Sequence, residues 1–231
     1  MKTHIAGPIE MVGSTMTRYW TVRKVLLACG IAASLVWLGA DILASLRYEG
    51  YNYPFDPISG LSTLDSPVRS LLIPLFNLYV VLKIVFAVGV WMFAGKKRAL
   101  RITAGLVFAW GVIDLAAYFF PWDPSEDLLT FNNIMHGVLA GGMNVLMILL
   151  IIAVGANADG KWFRYYSYGT LLVMIVSGGV MALLDPHVEG NLPPPWFGLT
   201  ERINGYGLML WMILLAYILL RIKPESSSLE D

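Results

Sequence analysis

The chain has 231 residues, of which 57% are hydrophobic and only 14% are charged, and its mean hydropathy is +0.66. Soluble domains carry about 45–50% apolar residues, so this composition excludes an ordinary soluble protein and predicts one whose solvent is the bilayer. Sixteen basic residues balance sixteen acidic ones, so net charge gives no indication of nucleic-acid binding.

Six stretches are long and apolar enough to cross a membrane as helices. A spanning helix needs about 20 mostly apolar residues to cover a hydrocarbon layer of about 30 Å. In chain order the predicted spans are residues 24–46, 70–94, 99–120, 132–154, 164–184 and 202–222. We therefore predict an all-α, polytopic membrane bundle that forms one transmembrane domain over residues 1–231, with a disordered tail at 223–231.

Basic residues are distributed unevenly between the two sides of these spans. One side carries Lys2, Arg18, Arg23, Lys24, Lys96, Lys97, Arg98, Arg101, Lys161, Arg164, Arg221 and Lys223. The other side carries Arg47, Arg69 and Arg202. Because basic residues are retained on the cytoplasmic side, we predict that both termini are cytoplasmic, in a multi-pass protein of the plasma membrane.

The three connections on the predicted outer side are long and rich in proline and aromatic residues. They read YEGYNYPFDPISGLSTLDSP, FPWDPSEDLLTFNN and DPHVEGNLPPPWFGLTER. Long connections of this kind tend to carry function, and these contain too many large apolar side chains for solvated linkers. We expect them to fold down as a cap over the outer end of the bundle.

Ionisable residues inside the predicted spans cost several kcal/mol unless they are paired or hydrated, so they are candidates for function. They are Asp41, Lys83, Asp114 and His136. From the helical rise, Asp41, Asp114 and His136 lie about 6–9 Å from the outer ends of their spans, and Lys83 lies about 20 Å from the outer end of its span. The side chain of Lys83 reaches toward the level of Asp114. Further polar residues on inward faces, or at the start of the last span, are Asn144, Glu201 and Arg202.

This placement predicts a polar centre between the helices, in the outer half of the bilayer. A purely structural network of the same residues, in which Lys83 forms an ion pair with Asp41 or Asp114, is the alternative. Asp185 and His187 are additional candidates in the third outer connection. A zinc site from His136, Asp114, Asp41 and His187 is not favoured, because the chain has no His or Cys spacing typical of a metal site. We predict no metal and no cofactor.

Two glycine-rich segments lie within predicted spans, Gly141 to Met143 and Ser177 to Gly179. Small residues allow helix backbones to approach each other closely in membranes. We interpret both segments as sites of close helix packing.

Several short segments resemble the integral membrane family catalogued as domain of unknown function 998. They are DPISGLSTLDSP in the first outer connection, LFN at Leu75 to Asn77, His136 at the opening of a later span, and GLTERI at Gly198 to Ile203. These segments follow the order of that family and cover most of the chain. The resemblance implies six spans and no particular activity. The positions it implies to be important are Ser59, Asn77, His136, Glu201 and Arg202.

Three functions remain open. The polar centre binds or translocates a lipid or small amphiphile, with Lys83, Asp114 and His136 providing charge or proton coupling. Alternatively, the protein is an intramembrane hydrolase or transferase acting on a lipid-like substrate, with His136 as general base or metal ligand and Asp41 or Asp114 orienting it. The third is a structural or assembly subunit without chemistry. We favour the first, because no span contains a recognisable nucleophile and base. The expected partners are membrane lipids and the ligand, and no nucleic acid.

Overall fold

The computed structural model describes residues 8–123, 129–184 and 196–222, and within them it forms helices and no strand. This confirms the predicted all-α class. The long helices of the described residues are α1 (Pro8–Arg47), α2 (Arg69–Ala94), α3 (Arg98–Ala117), α4 (Phe131–Gly155), α5 (Lys161–Leu184) and α6 (Phe197–Arg221). A short 3₁₀ helix, Ile58–Ser62, lies between α1 and α2.

Five of these helices are long and apolar enough to cross a membrane. They are Trp20–Arg47 within α1, and α2, α3, α4 and α6 over their full lengths. The predicted membrane-protein character is therefore confirmed. Helix α5 coincides with the predicted span 164–184 and has 24 residues, but it is not among the five. The count of six spans, the orientation and the cap stay predictions.

The helices contact one another in chain order around a ring, which α6 closes by packing against α1. Small residues permit the closest approaches. A Cβ placed on Gly89 of α2 would lie 2.8 Å from the Cβ of Leu26 and 2.9 Å from its carbonyl carbon in α1. The contact between α1 and α2 therefore depends on the missing side chain.

The two ends of the ring differ in packing. At the short-loop end, which holds the connections 95–97 and 156–160, the buried Trp211 of α6 joins three helices. Its ring lies against Gly155 of α4 and 5.5 Å from the ring of Phe163 in α5. Its indole Nε1 donates to the hydroxyl of Ser167 at 2.8 Å. This end is filled by side chains.

The long-loop end, which holds the connections 48–68 and 118–130, is less tightly packed. Here α4 is π-helical over Gly137–Met143, and none of these seven residues is buried. A Cβ on Gly141, Gly178 or Gly179 would meet no atom of the described residues within 4 Å. The interpretation of the glycine-rich segments as sites of close packing is therefore wrong for these three residues. The part of α4 at the long-loop end borders a cavity instead, and π-helical segments inside α-helices are frequent at functional sites.

We expect Gly89→Ala to destabilise the protein, because the added methyl group would overlap α1 and overpacking costs about 1–3 kcal/mol. Gly105→Ala in α3 is the matched control, since a Cβ there meets nothing within 4 Å. The free energy of unfolding in mixed detergent micelles measures both. Equal stability of the two variants would contradict the close contact.

Candidate functional site

Asp41 of α1 and Arg202 of α6 form a buried ion pair with two hydrogen bonds. Nε of Arg202 lies 3.0 Å from Oδ2 of Asp41, and Nη2 lies 2.9 Å from Oδ1. The two side chains are 0% and 2% exposed. Bidentate pairing fixes the relative orientation of both groups as well as adding energy. It therefore fastens α1 to α6 near the long-loop end.

The remaining N–H groups of Arg202 bind the connection between α1 and α2. Nη1 donates to the carbonyl oxygens of Tyr53 at 2.6 Å, Asp56 at 3.2 Å and Gly198 at 3.1 Å. Nη2 donates to the hydroxyl of Tyr51 at 2.9 Å. The ring of Tyr53 covers the guanidinium, with its centroid 3.7 Å from Cζ. One cation thus binds several backbone oxygens of the first connection and of α6.

Two tyrosine hydroxyls complete the shell around Asp41. Tyr206 donates to Oδ2 at 2.7 Å, and the hydroxyl of Tyr53, which lies 3.3 Å from the same oxygen, hydrogen-bonds to the hydroxyl of Tyr206. Tyr206 lies four residues after Arg202, so both project from one face of α6. The carboxylate is therefore fully engaged with protein groups.

Tyr51 links Arg202 to the backbone of the first connection. Its hydroxyl donates to the carbonyl oxygens of Asp56 at 3.0 Å and Pro57 at 2.9 Å. Burial raises the pKa of Tyr51 to about 12, although the neighbouring guanidinium acts in the opposite direction. The phenol stays protonated at neutral pH, so it remains a donor.

The start of α6 is closed by the same connection. The N–H groups of Gly198 and Leu199 donate to the carbonyl oxygens of Phe55 at 3.2 Å and Pro54 at 2.9 Å. The first N–H groups of a helix have no partner within the helix, and these bonds supply two. A Cβ on Gly198 would collide with the carbonyl oxygen of Asp56, so the contact requires glycine.

A second ion pair joins Lys83 of α2 to Asp114 of α3. Lys83 is fully buried, and its Nζ also donates to the hydroxyl of Tyr79 at 3.2 Å and lies 3.4 Å from the centroid of Trp110. Asn144 of α4 donates to Oδ1 of Asp114 at 3.3 Å and accepts from Nε1 of Trp110. The network connects three consecutive helices of the ring.

A cavity of about 680 Å³ opens between α2, α3, α4 and α6 at the long-loop end. Its volume lies within the range of about 300–1,000 Å³ typical of small-molecule sites. Polar lining residues include Ser59, Ser62, Arg69, Asn77, Asp114, Asn133, His136, Asn144, Glu201 and Asn204. Val80, Ile148, Leu208 and Met209 line it closer to the middle of their helices. Leu208 lies 11 residues into α6, so the cavity extends about 17 Å along that helix.

The 3₁₀ helix Ile58–Ser62 borders the cavity, and we call it the roof segment. Its first N–H, that of Ile58, donates to Oε2 of Glu201 at 2.6 Å. Its last carbonyl, that of Ser62, accepts from Nη1 of Arg69. Ser59 lies between these ends and lines the cavity. A carboxylate and a guanidinium thus hold opposite ends of the roof segment.

The predicted polar centre divides into two groups in the structure. Asn77, Asp114, His136, Asn144 and Glu201 line the cavity, together with Ser59. Lys83 contacts Asp114 from behind the cavity wall, which agrees with the estimated reach of its side chain. Asp41 and Arg202 are not part of this group and pair with each other. Asp185 and His187 lie outside the described residues.

The structure does not support the expected orientation of His136 by a carboxylate. Nδ1 of His136 lies 2.9 Å from the carbonyl oxygen of Phe120, and Asp41 is engaged elsewhere. Among the described residues, no group of three or more His, Cys, Asp or Glu side chains could hold a metal ion. The arrangement is suited to binding polar groups by hydrogen bonds and charge.

Sequence reasoning missed several partners of the charged residues. Ser45, Tyr79 and Tyr206 lie four residues from Asp41, Lys83 and Arg202, and they hydrogen-bond to members of the ion pairs. A search at helical spacing around each charge finds them. Tyr51 and Tyr53 lie in an irregular connection, where no periodicity indicates their direction.

We expect Arg202→Met to lower the free energy of unfolding by about 3–5 kcal/mol, because it leaves Asp41 buried without a partner. Combining it with Asp41→Leu should recover part of this loss, since neither charge is then stranded. Arg98→Met, at an exposed position, is the control. Additive losses in the double variant would show that the pair is not coupled.

The comparisons with known proteins give one match. The family described as "Protein of unknown function (DUF998)" matches residues 31–218, a range that includes both ion pairs and all the cavity residues named above. No curated protein and no solved structure matches the chain. The resemblance found in the sequence is confirmed, and the chain belongs to the DUF998 family.

Proposed function

We propose that the protein binds a lipid or small amphiphile in the cavity at the long-loop end. The observation that carries this proposal is the composition of the cavity wall. Polar side chains from α2, α3, α4 and α6 converge near the roof segment, and apolar side chains line the part closer to the bilayer centre. A molecule with a polar head and an apolar body matches that order.

The outer part of α4 is the proposed route of entry from the bilayer. Gly137 and Gly141 line the cavity, and the π-helical segment around them contains no buried residue. A lipid would need to displace few side chains to pass this wall. For translocation, we propose that the ligand passes through this wall and that the ion pair of Lys83 and Asp114 responds to its charge.

Binding is favoured over catalysis by the surroundings of His136. A general base must lie within hydrogen-bond reach of the proton it removes and is commonly oriented by an acidic partner. The observed partner of Nδ1 is a backbone carbonyl oxygen. This contact fixes the ring in the cavity wall, where it can donate or accept one hydrogen bond to a ligand.

We further propose that the protein crosses the plasma membrane six times, with both termini in the cytoplasm. Leu172, Val173, Ile175 and Val176 of α5 are each more than half exposed. Such a continuous apolar surface is suited to lipid contact and supports counting α5 as a span. The long-loop end then faces the outside, where the basic residues are few.

We expect Gly141→Phe to reduce co-purifying lipid at least severalfold, because the ring would occupy the cavity without meeting another side chain at its Cβ. Gly105→Phe is the control, since it also meets nothing within 4 Å but does not line the cavity. Native mass spectrometry of both variants and the parent measures the bound lipid. Unchanged lipid in Gly141→Phe at equal thermal stability would disprove this binding site.

Orientation is tested by single cysteines in a Cys29→Ala background. Asp65→Cys in the first connection and Asn157→Cys in the connection after α4 are both at exposed positions. We expect an impermeant maleimide to label the first in intact cells and the second only after permeabilisation, because basic residues flank the second connection. The reverse pattern would invert the proposed topology.

A further inference from the structure

Within the described residues, the two side chains that hold the roof segment, Glu201 and Arg69, form no ion pair. The described part of the chain contains two ion pairs, Asp41 with Arg202 and Lys83 with Asp114. Each of these pairs is neutral as a unit. Glu201 and Arg69 line the cavity and belong to neither pair. Among the described residues, the cavity wall therefore presents one carboxyl group and one guanidinium that form no ion pair.

Both groups retain unused hydrogen-bonding capacity. A carboxylate offers about four lone-pair sites and a guanidinium five N–H donors. Within the described residues, Glu201 accepts one hydrogen bond, from Ile58, and Arg69 donates one, to Ser62. Arg202, the neighbour of Glu201, is fully occupied by Asp41 and the first connection. Glu201 and Arg69 can each take a further charged partner.

The roof segment sets the separation of the two charges. Ile58 and Ser62 lie four residues apart in a 3₁₀ helix, which corresponds to about 8 Å between their backbone groups. A single head group can reach both ends over such a distance. A ligand with one sign of charge would satisfy one residue and leave the other without a partner inside the occupied cavity, which is costly.

We infer that the ligand is an amphiphile with a zwitterionic head group, whose ammonium contacts Glu201 and whose anionic group contacts Arg69, with Ser59 between them. The inference rests on the proposed function, because it assigns the head group of the molecule in that cavity. Two-chain membrane lipids and single-chain amphiphiles share this head-group chemistry.

The test compares amphiphiles that share one acyl chain and differ in the head group. The probes are a single-chain phosphoethanolamine (zwitterionic), a phosphoglycerol (anionic), an alkyltrimethylammonium (cationic) and an alkyl glycoside (neutral), with a two-chain phosphoethanolamine lipid to distinguish the sources. We expect the zwitterionic probes to bind the parent protein at least about tenfold more tightly than the others, because each charge-assisted hydrogen bond contributes to affinity. Whichever zwitterionic probe binds more tightly, the single-chain or the two-chain molecule, identifies the kind of amphiphile.

Two variants remove one charge each while keeping hydrogen-bonding groups. Glu201→Gln retains an acceptor for Ile58, and we expect it to lose the preference over the anionic probe. Arg69→Gln retains N–H donors, and we expect it to lose the preference over the cationic probe. Thermal stability of both variants is measured in parallel, so that loss of folding is recognised. The ranking of probes by the parent protein tests the inference without any substitution.

The outcomes separate this inference from the proposed function. If Gly141→Phe prevents binding of all probes but the parent protein ranks them equally, the cavity binds amphiphiles and the zwitterion assignment is wrong. The same conclusion follows if a folded Glu201→Gln or Arg69→Gln variant keeps the parent ranking. If Gly141→Phe binds every probe as the parent does, the cavity itself is not the binding site.

Discussion

The guanidinium of Arg202 makes contacts in three directions, to α1 through Asp41, to the first connection through backbone oxygens, and to its own helix through Gly198. A charge in this position would be costly if it were unpaired, because little water is available to solvate it. The same cost favours a single arrangement of the chain, because breaking any one of these contacts would leave a buried polar group without a partner. The position of the connection above the cavity follows from this requirement.

The cavity exists because side-chain packing differs between the two ends of the helix ring. At the short-loop end Trp211 fills the space between α4, α5 and α6, whereas the π-helical part of α4 at the long-loop end presents mainly small residues to the interior. The charges of Asp41 and Lys83 are neutralised within the protein by Arg202 and Asp114. Charges that build the fold are thereby separated from those available to a ligand, although Asp114 borders both.

Apolar length and helical rise predicted much of this arrangement. They predicted six helices, five of them close to their observed bounds, whereas α1 begins at Pro8 and not at residue 24. They also predicted that the side chain of Lys83 reaches toward the level of Asp114. They did not predict that Asp41 pairs with Arg202, because the rise gives the depth of a residue but not which helices are neighbours. Closure of the ring between α1 and α6 decides that pairing. The directions of Tyr51 and Tyr53 were also beyond prediction, since they lie in an irregular connection that is ordered by contacts with a helix about 150 residues later.

The segments that first indicated the family meet in space. Ile58 of DPISGLSTLDSP donates to Glu201 of GLTERI, and Asn77 and His136 line the cavity beside them. If the residues that carry the resemblance contributed only to apolar spans, they would be scattered over the lipid-facing surface. Here they build the roof segment and the wall below it. The segments that carry the resemblance to the family therefore meet at one place in the fold, around the roof segment.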